Sequence, residues 1–235
     1  LSFLAKKDDP SSGGRQMPQH YGHRELNIVS QSSPTGTQLL QAVGAGFALQ
    51  RNGKKAVAYV SLGEGSTSQG DFHEALNWAS LDKVPVIFHV ENNHFAISVP
   101  IERQTAGASV YKISAGYENL ARFNVNGTDF FETHLAFKKA VERARKGKGP
   151  SLIVSDVVRL LPHSSSDDQR KYRSEEELDA DKRRDPLLVF ANTCIHEKIA
   201  TQKDIDKISR DVKTQVDSDA EWAESQPDPD PVNVL

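Results

Sequence analysis

Cysteine is almost missing from these 235 residues: Cys194 is the only one. No intrachain disulfide can form, and no cysteine cluster can hold zinc or iron and sulfur. A lone thiol fits a reducing compartment, either a bacterial cytoplasm or a mitochondrial matrix. Long hydrophobic runs are missing too. None approaches the roughly 20 residues that span a bilayer, and Leu1 to Ala5 is too short for a signal-peptide core, so no membrane is expected as a partner. Nor does one sign of charge dominate. The 29 basic and 32 acidic residues are mixed along the chain and leave a net charge of -3, which offers no broad basic surface to nucleic acid. There is no internal repeat.

What remains is ordinary globular material: 37% of residues are hydrophobic, enough for one core with appendages. Thr37 to Asn52 carries Leu39, Leu40, Val43, Phe47 and Leu49 at helical spacing and meets Gly53, a natural stop. Gly44 and Gly46 inside it cost helix propensity, for which close packing against a neighbouring backbone would compensate. Lys55 to Leu62 and Val84 to Val90 are short valine-rich runs suited to buried parallel strands. Between them Ser68 and Asp71 read as a capping pair for a helix running to about Ser80. Strand character returns near Phe123 to Val125 and at Ser151 to Val158, with an amphipathic helix from about Asp129 to Lys146 between. From Ser174 to Trp222 the chain reads as charged helices, one of which lines up Ile205, Ile208, Val212 and Val216. The expectation is an α/β fold with a doubly wound, mostly parallel sheet over residues 1–170, a helical C-terminal arm over 171–225 and a Pro/Asp-rich tail over 226–235. The turn-rich opening, Lys6 to Gly14, reads as if preceded by further chain.

Chemistry concentrates where two strands end. One runs into Gly63-Glu64-Gly65-Ser66 and the next into Glu91-Asn92-Asn93. Loops at the carboxyl ends of neighbouring parallel strands line one crevice, so Glu64 and Asn93 can converge although distant in sequence. A carboxylate and an amide oxygen suit a hard cation such as Mg²⁺. The flanking glycines let backbone N–H groups approach phosphate oxygens. Gly63 to Gly65 taken alone is equally an ordinary strand-to-helix turn. Paired with Asn92-Asn93, it resembles the metal motif of thiamine-diphosphate enzymes.

Further segments narrow the resemblance. Gly14 to Tyr21 (GRQMPQHY), Gln31 to Gln38 (QSSPTGTQ), Glu91 to Ser98 (ENNHFAIS), His163 to Asp168 (HSSSDD) and Lys171-Tyr172-Arg173 resemble, in order, the α subunit of branched-chain 2-oxo acid dehydrogenase E1. The resemblance implies that Glu64, Asn93 and the carbonyl of Phe95 hold Mg²⁺. By the same carry-over, Gly65, Ser66 and His163 face the diphosphate of thiamine diphosphate, and Ser33 and Thr35 lie near the cofactor. In some relatives the serine-proline stretch binds K⁺, here through Ser32, Pro34, Thr37 and Gln38; a serine-proline turn capping a helix accounts for the same residues without metal. His163 would be catalytic, with Arg159, Asp167 and Tyr172 locking its loop, against the reading of an ordinary surface histidine. Ser164 matches the position phosphorylated in mitochondrial relatives.

Four positions depart from common family patterns: Glu64 replaces aspartate, His94-Phe95 replace glycine and tyrosine, and Glu91 stands where some relatives place arginine near the diphosphate. The resemblance implies decarboxylation of a branched-chain 2-oxo acid and acyl transfer to the lipoyl domain of an E2 partner. It also implies that the glutamate activating the cofactor belongs to a β-type E1 subunit or fused β half. Pyruvate or acetoin dehydrogenase is the neighbouring enzymatic reading, and a catalytically incomplete scaffold subunit is the non-enzymatic one. His20, His73, His89, His134 and His196 receive no role, and Cys194 reads as packing.

Overall fold

Parallel strands cannot be joined by tight hairpins, and alternation of short apolar runs with longer helical periods dictates crossover units. The computed structural model, which describes residues 1–17 and 19–234, has that organisation. Pro18, part of the GRQMPQHY segment, and Leu235 lie outside the described residues. Helix α1 (Gln38–Arg51) leads into strand β1 (Ala58–Gly63), a 3₁₀ turn (Glu64–Ser68), α2 (Gly70–Leu81) and β2 (Val86–Asn92). A small hairpin follows, β3 (Phe95–Ala96) with β4 (Val99–Pro100), then the short helices α3 (Ile101–Gln104) and α4 (Val110–Ile113). Strand β5 (Ala121–Asn126), α5 (Phe130–Arg145) and β6 (Ser151–Asp156) complete the sheet. Helices α6 (Glu175–Arg183), α7 (Pro186–His196) and α8 (Gln202–Glu224) come last.

The sheet order is β1-β2-β6-β5 with every pairing parallel. Successive side chains therefore face opposite sides. Val60, Leu62, Val86, Phe88, Val90, Leu152 and Val154 pack with Leu39 and Val43 of α1 and with Phe72, Ala75 and Leu76 of α2. The intervening Ile87 and Ile153 meet Ala136 and Ala140 of α5 on the other side. Helices on both faces make the sheet doubly wound, as the sequence pattern predicts.

Two compact units are present: residues Thr35–Thr193, which hold the sheet, and residues Leu1–Pro34 with Cys194–Leu235. In the latter, Asp9 is buried and accepts hydrogen bonds from the backbone N–H groups of Ser11, Ser12 and Gly14 and from the hydroxyls of Ser2 and Ser12. The Pro/Asp-rich tail is tied to the opening segment by Lys7 N–H donating to Pro227 O (3.0 Å) and by the Lys6–Asp228 ion pair at 2.8 Å.

Local details differ from the sequence expectations. Strand β1 begins at Ala58 rather than Lys55. The Ser68/Asp71 capping pair does not form: α2 is preceded by Gln69, without a side-chain cap, because Ser68 still belongs to the 3₁₀ turn. Gly46 does pack closely, since a Cβ there would come within 2.8 Å of Val84 Cγ1, whereas Gly44 faces open space. On α8, Ile208, Val212 and Val216 share a face but remain more than half exposed. That helix is held by a Thr201/Asp204 capping box and by the Lys207–Asp211 and Lys213–Asp217 ion pairs.

Candidate functional site

In-register pairing of β1 with β2 aligns Gly63 with Glu91, so the loops after these strands emerge side by side. Glu64 lies directly beyond Gly63 and is only 1% exposed. The backbone N–H of Asn93 donates to its Oε2 at 3.2 Å. Its Oε1 is buried and has no hydrogen-bond donor among the described residues. Burial pushes the Glu64 carboxyl above the usual carboxylate range, opposed by the Asn93 N–H and by the positive fields of His94 and Arg159. A buried carboxylate oxygen without a donor is costly unless something cationic completes it.

Phe95 joins the same neighbourhood, because its N–H donates to Asn93 Oδ1 at 3.2 Å. His94 between them takes the left-handed backbone region (φ 69°), and its carbonyl accepts from Ile101 N–H at 2.9 Å. The chain thereby turns sharply at Asn93 and folds back as a hairpin. On the first loop, Gly65 is pressed against that hairpin: a Cβ would meet Ala96 Cβ at 2.8 Å. Thus Glu64, Gly65, Asn93 and Phe95 converge, and the donor set fits a hard cation: one carboxylate oxygen in need of a partner beside an amide and backbone carbonyls. Among the described residues no group of three or more His, Cys, Asp or Glu side chains is arranged to hold a metal ion.

The His163 loop is organised by its neighbours. Asp167 Oδ2 accepts from the His163 backbone N–H (2.9 Å) and from the Tyr172 hydroxyl (2.6 Å), while Arg159 Nη2 donates to that hydroxyl at 2.8 Å. The hydrogen bonds from Tyr172 and His163 hold the Asp167 carboxyl below its ordinary range. Arg159 Nη1 also donates to Ile97 O at 2.7 Å, bridging this loop to the β3–β4 hairpin. Phe95 is shared by both sides: the Tyr172 ring lies 5.9 Å away, and the guanidinium groups of Arg159 and Arg173 lie 5.7 and 5.2 Å from its centre. The His163 ring and Ser164 are exposed, with Ser164 Oγ 3.2 Å from Ser166 Oγ. A surface cleft of about 480 Å³ lies alongside, lined by Leu160, Pro162, Asp168, Arg170, Leu178 and Lys182; it does not include Glu64 or Asn93.

The serine-proline stretch is divided. Ser32, Ser33 and Pro34 belong to one compact unit, and Thr35, Thr37 and Gln38 to the other. Ser33 Oγ lies 2.7 Å from His20 Nε2. Gln38 Nε2 donates to Ser61 O at 3.3 Å, and Thr37 stands at the N-cap of α1 without a side-chain cap hydrogen bond.

Two further features gave no signal in the sequence. Gln104 reaches back from α3 to the Glu64 loop, its Nε2 donating to Glu64 O (3.1 Å), Gly65 O (2.9 Å) and Ser68 Oγ (3.0 Å). Asp156, at the end of β6, joins His94 Nε2 at 2.6 Å and Arg184 Nη2 at 2.7 Å, fixing the residue after Asn93 and the end of α6 to the sheet. Both depend on contacts across tens of residues.

Comparison with known proteins adds relatives to this geometry. The profile of the family described as dehydrogenase E1 component matches residues 1–232. The chain is 48% identical over 190 residues to the 2-oxoisovalerate dehydrogenase subunit alpha of Bacillus subtilis, covering 81% of this chain and 57% of that one. It is 35% identical over 223 residues to the mitochondrial 2-oxoisovalerate dehydrogenase subunit alpha of Homo sapiens, covering 94% and 50%. Similarity to the pyruvate dehydrogenase E1 component subunit alpha of Bacillus subtilis is 34% over 217 residues, covering 91% and 56%. The chain thus spans about half the length of the curated relatives it matches.

Proposed function

Since this chain belongs to the dehydrogenase E1 component family, we propose that it forms the α-type part of a thiamine-diphosphate-dependent E1 enzyme that decarboxylates a branched-chain 2-oxo acid and passes the acyl group to a lipoyl-bearing E2. The observation that carries this reading is the buried Glu64 carboxylate, joined to Asn93 at the ends of adjacent parallel strands, with one oxygen left for a cation. When bound, the cofactor supplies the carbanion chemistry that releases CO₂. The chain's own residues bind and orient. Glu64, Asn93 and the Phe95 carbonyl would hold Mg²⁺, and Gly65 and Ser66 would face the diphosphate, with the Gly65 N–H free to donate to it. Ser33 and Thr35 contribute to the cofactor's surroundings, and Ser32, Pro34, Thr37 and Gln38 are the candidate ligands for K⁺.

His163 stands on a loop that Asp167, Tyr172 and Arg159 brace against the Phe95 hairpin. In this role its exposed ring faces incoming substrate and guides a proton during acyl transfer. The remaining half of the cleft, with the glutamate that activates the cofactor, is assigned to a β-type subunit or fused β half, giving an α₂β₂ heterotetramer. The branched-chain assignment rests on the greater similarity to the 2-oxoisovalerate relative (48%) than to the pyruvate relative (34%) of the same organism. Residues 1–170 are proposed as the cofactor domain, 171–225 as a helical arm and 226–235 as a tail. A bacterial cytoplasm or mitochondrial matrix is the proposed location.

The test is turnover of 3-methyl-2-oxobutanoate and of pyruvate by the full-length protein assembled with its β-type partner, in parallel with the 235-residue chain alone. The expected result is a higher kcat/KM for the branched substrate in the assembly and none in the isolated chain. Preference for pyruvate would move the protein to the neighbouring enzyme class, and no turnover by a cofactor-loaded assembly would favour the scaffold reading.

A further inference from the structure

Gln104 makes more contacts with the Glu64 loop than a helix-end glutamine needs for its own solvation. Its Nε2 is shared among Glu64 O at 3.1 Å, Gly65 O at 2.9 Å and Ser68 Oγ at 3.0 Å. Carbonyl oxygens only accept, so the amide must present its NH₂ side to them; the flipped rotamer would set Oε1 against two carbonyl oxygens. Its own Oε1 is left buried without a hydrogen-bond donor among the described residues. Glu64 O is held a second time, by Thr67 Oγ1 at 2.7 Å.

The consequence follows from peptide geometry. No cis peptide bond occurs among the described residues, and in a trans peptide the C=O and the following N–H point in opposite directions. Fixing the Glu64 carbonyl therefore fixes the direction of the Gly65 N–H, which lies in the open first turn of the 3₁₀ segment and is aimed away from Gln104; fixing the Gly65 carbonyl holds the next peptide plane, whose Ser66 N–H closes that turn. Gly65 cannot relax by shifting sideways, because Ala96 already lies against it. Gln104 reaches this place because Ile101 N–H bonds to His94 O and the β3–β4 hairpin folds the chain back on the first loop.

We infer that Gln104 is a positioning residue: its amide clamps two consecutive peptide planes so that the Gly65 N–H, in the open first turn of the 3₁₀ segment, is preset to donate to the diphosphate of the cofactor. This rests on the thiamine-diphosphate reading and deepens it. It also couples the two metal-bearing loops, since α3 is reached through the turn that carries Asn93 and Phe95. Donors held in place before binding lose less ordering entropy than donors that must be gathered.

The experiment titrates inorganic diphosphate with Mg²⁺, and separately thiamine diphosphate with Mg²⁺, into the full-length αβ assembly carrying wild-type Gln104, Gln104→Met or Gln104→Glu. Methionine keeps the length and loses the donors; glutamate keeps the shape and sets acceptor oxygens against the carbonyls. The expected result is a loss of about 10-fold or more in affinity for both ligands in both variants. The KM for the 2-oxo acid at saturating cofactor should stay within about twofold, a split between cofactor affinity and substrate KM that a merely structural role would not give. Equal affinities in wild type and variants would overturn the inference while leaving the cofactor reading intact. Wild-type protein that binds neither ligand would overturn that reading and the inference together. Failure of both variants to fold would assign Gln104 to folding instead and equally overturn it.

Discussion

His89 shows how a polar side chain survives inside a parallel sheet. It points to the α5 side of β2, where the ring meets Phe137 edge-on at 5.0 Å, Nε2 lies 2.9 Å from Ser155 Oγ and Nδ1 lies 3.0 Å from Tyr59 OH. Both ring nitrogens are thus occupied by hydroxyls, which can donate or accept as the tautomer requires. Burial pushes its pKa below the ordinary value, so the fold favours the neutral ring. The unfolded chain then binds the extra proton first as pH falls through about 6.5, and folding stability declines from there until the lower folded-state value is reached. The expected outcome is a smaller drop in melting temperature between about pH 7 and 5.5 for His89→Gln than for wild type. Parallel curves would show that His89 carries no such linkage.

The proposed site residues sit on loops that the parallel sheet carries. Residues 160–173 contain little regular structure, yet the loop is tied by Asp167, Tyr172 and Arg159 to the hairpin that carries Phe95. Arg173 fastens its far end: buried, it donates to Arg159 O at 3.1 Å and pairs with Asp181 at 2.5 Å. A negative group on the exposed Ser164 would stand near Asp167 and Asp168 and repel the carboxylate that holds the loop. In the reconstituted αβ protein, Ser164→Glu is therefore expected to raise protease cleavage between Leu161 and Arg173 and to suppress acyl transfer to a lipoyl domain. His163→Ala should suppress transfer with the loop still protected. Wild-type transfer rates in both variants would remove this loop from the active site.

Much of this level was readable from residue order. Short valine-rich runs in Lys55 to Leu62 and Val84 to Val90 mark neighbouring parallel strands, and the glycine and asparagine signals at their ends mark the loops where Glu64 and Asn93 meet. The rest depends on long-range closure. Ser68 reads as a helix cap by its local spacing, but it remains inside a 3₁₀ turn and accepts from Gln104, 36 positions away. Gln104 itself has no local pattern to announce it. Ile208, Val212 and Val216 mark a helical face correctly, but periodicity alone does not say that the face stays exposed.

At the scale of the whole molecule, the site has the character of one wall. The Glu64 and Asn93 loops offer a carboxylate, an amide and backbone groups, all suited to holding a metal diphosphate. The chain spans about half the length of its curated relatives, and the proposal assigns activation of the cofactor's reacting carbon to a β-type partner. The central claim is that Glu64 completes the cation that clamps the diphosphate. Calorimetric titration of thiamine diphosphate and Mg²⁺ into the assembled αβ protein tests it most directly, with wild type and Glu64→Ala compared at equal metal concentration. The account predicts saturable binding to the wild type and affinity weakened by about 10-fold or more in the variant; equal affinity in the two proteins would contradict it.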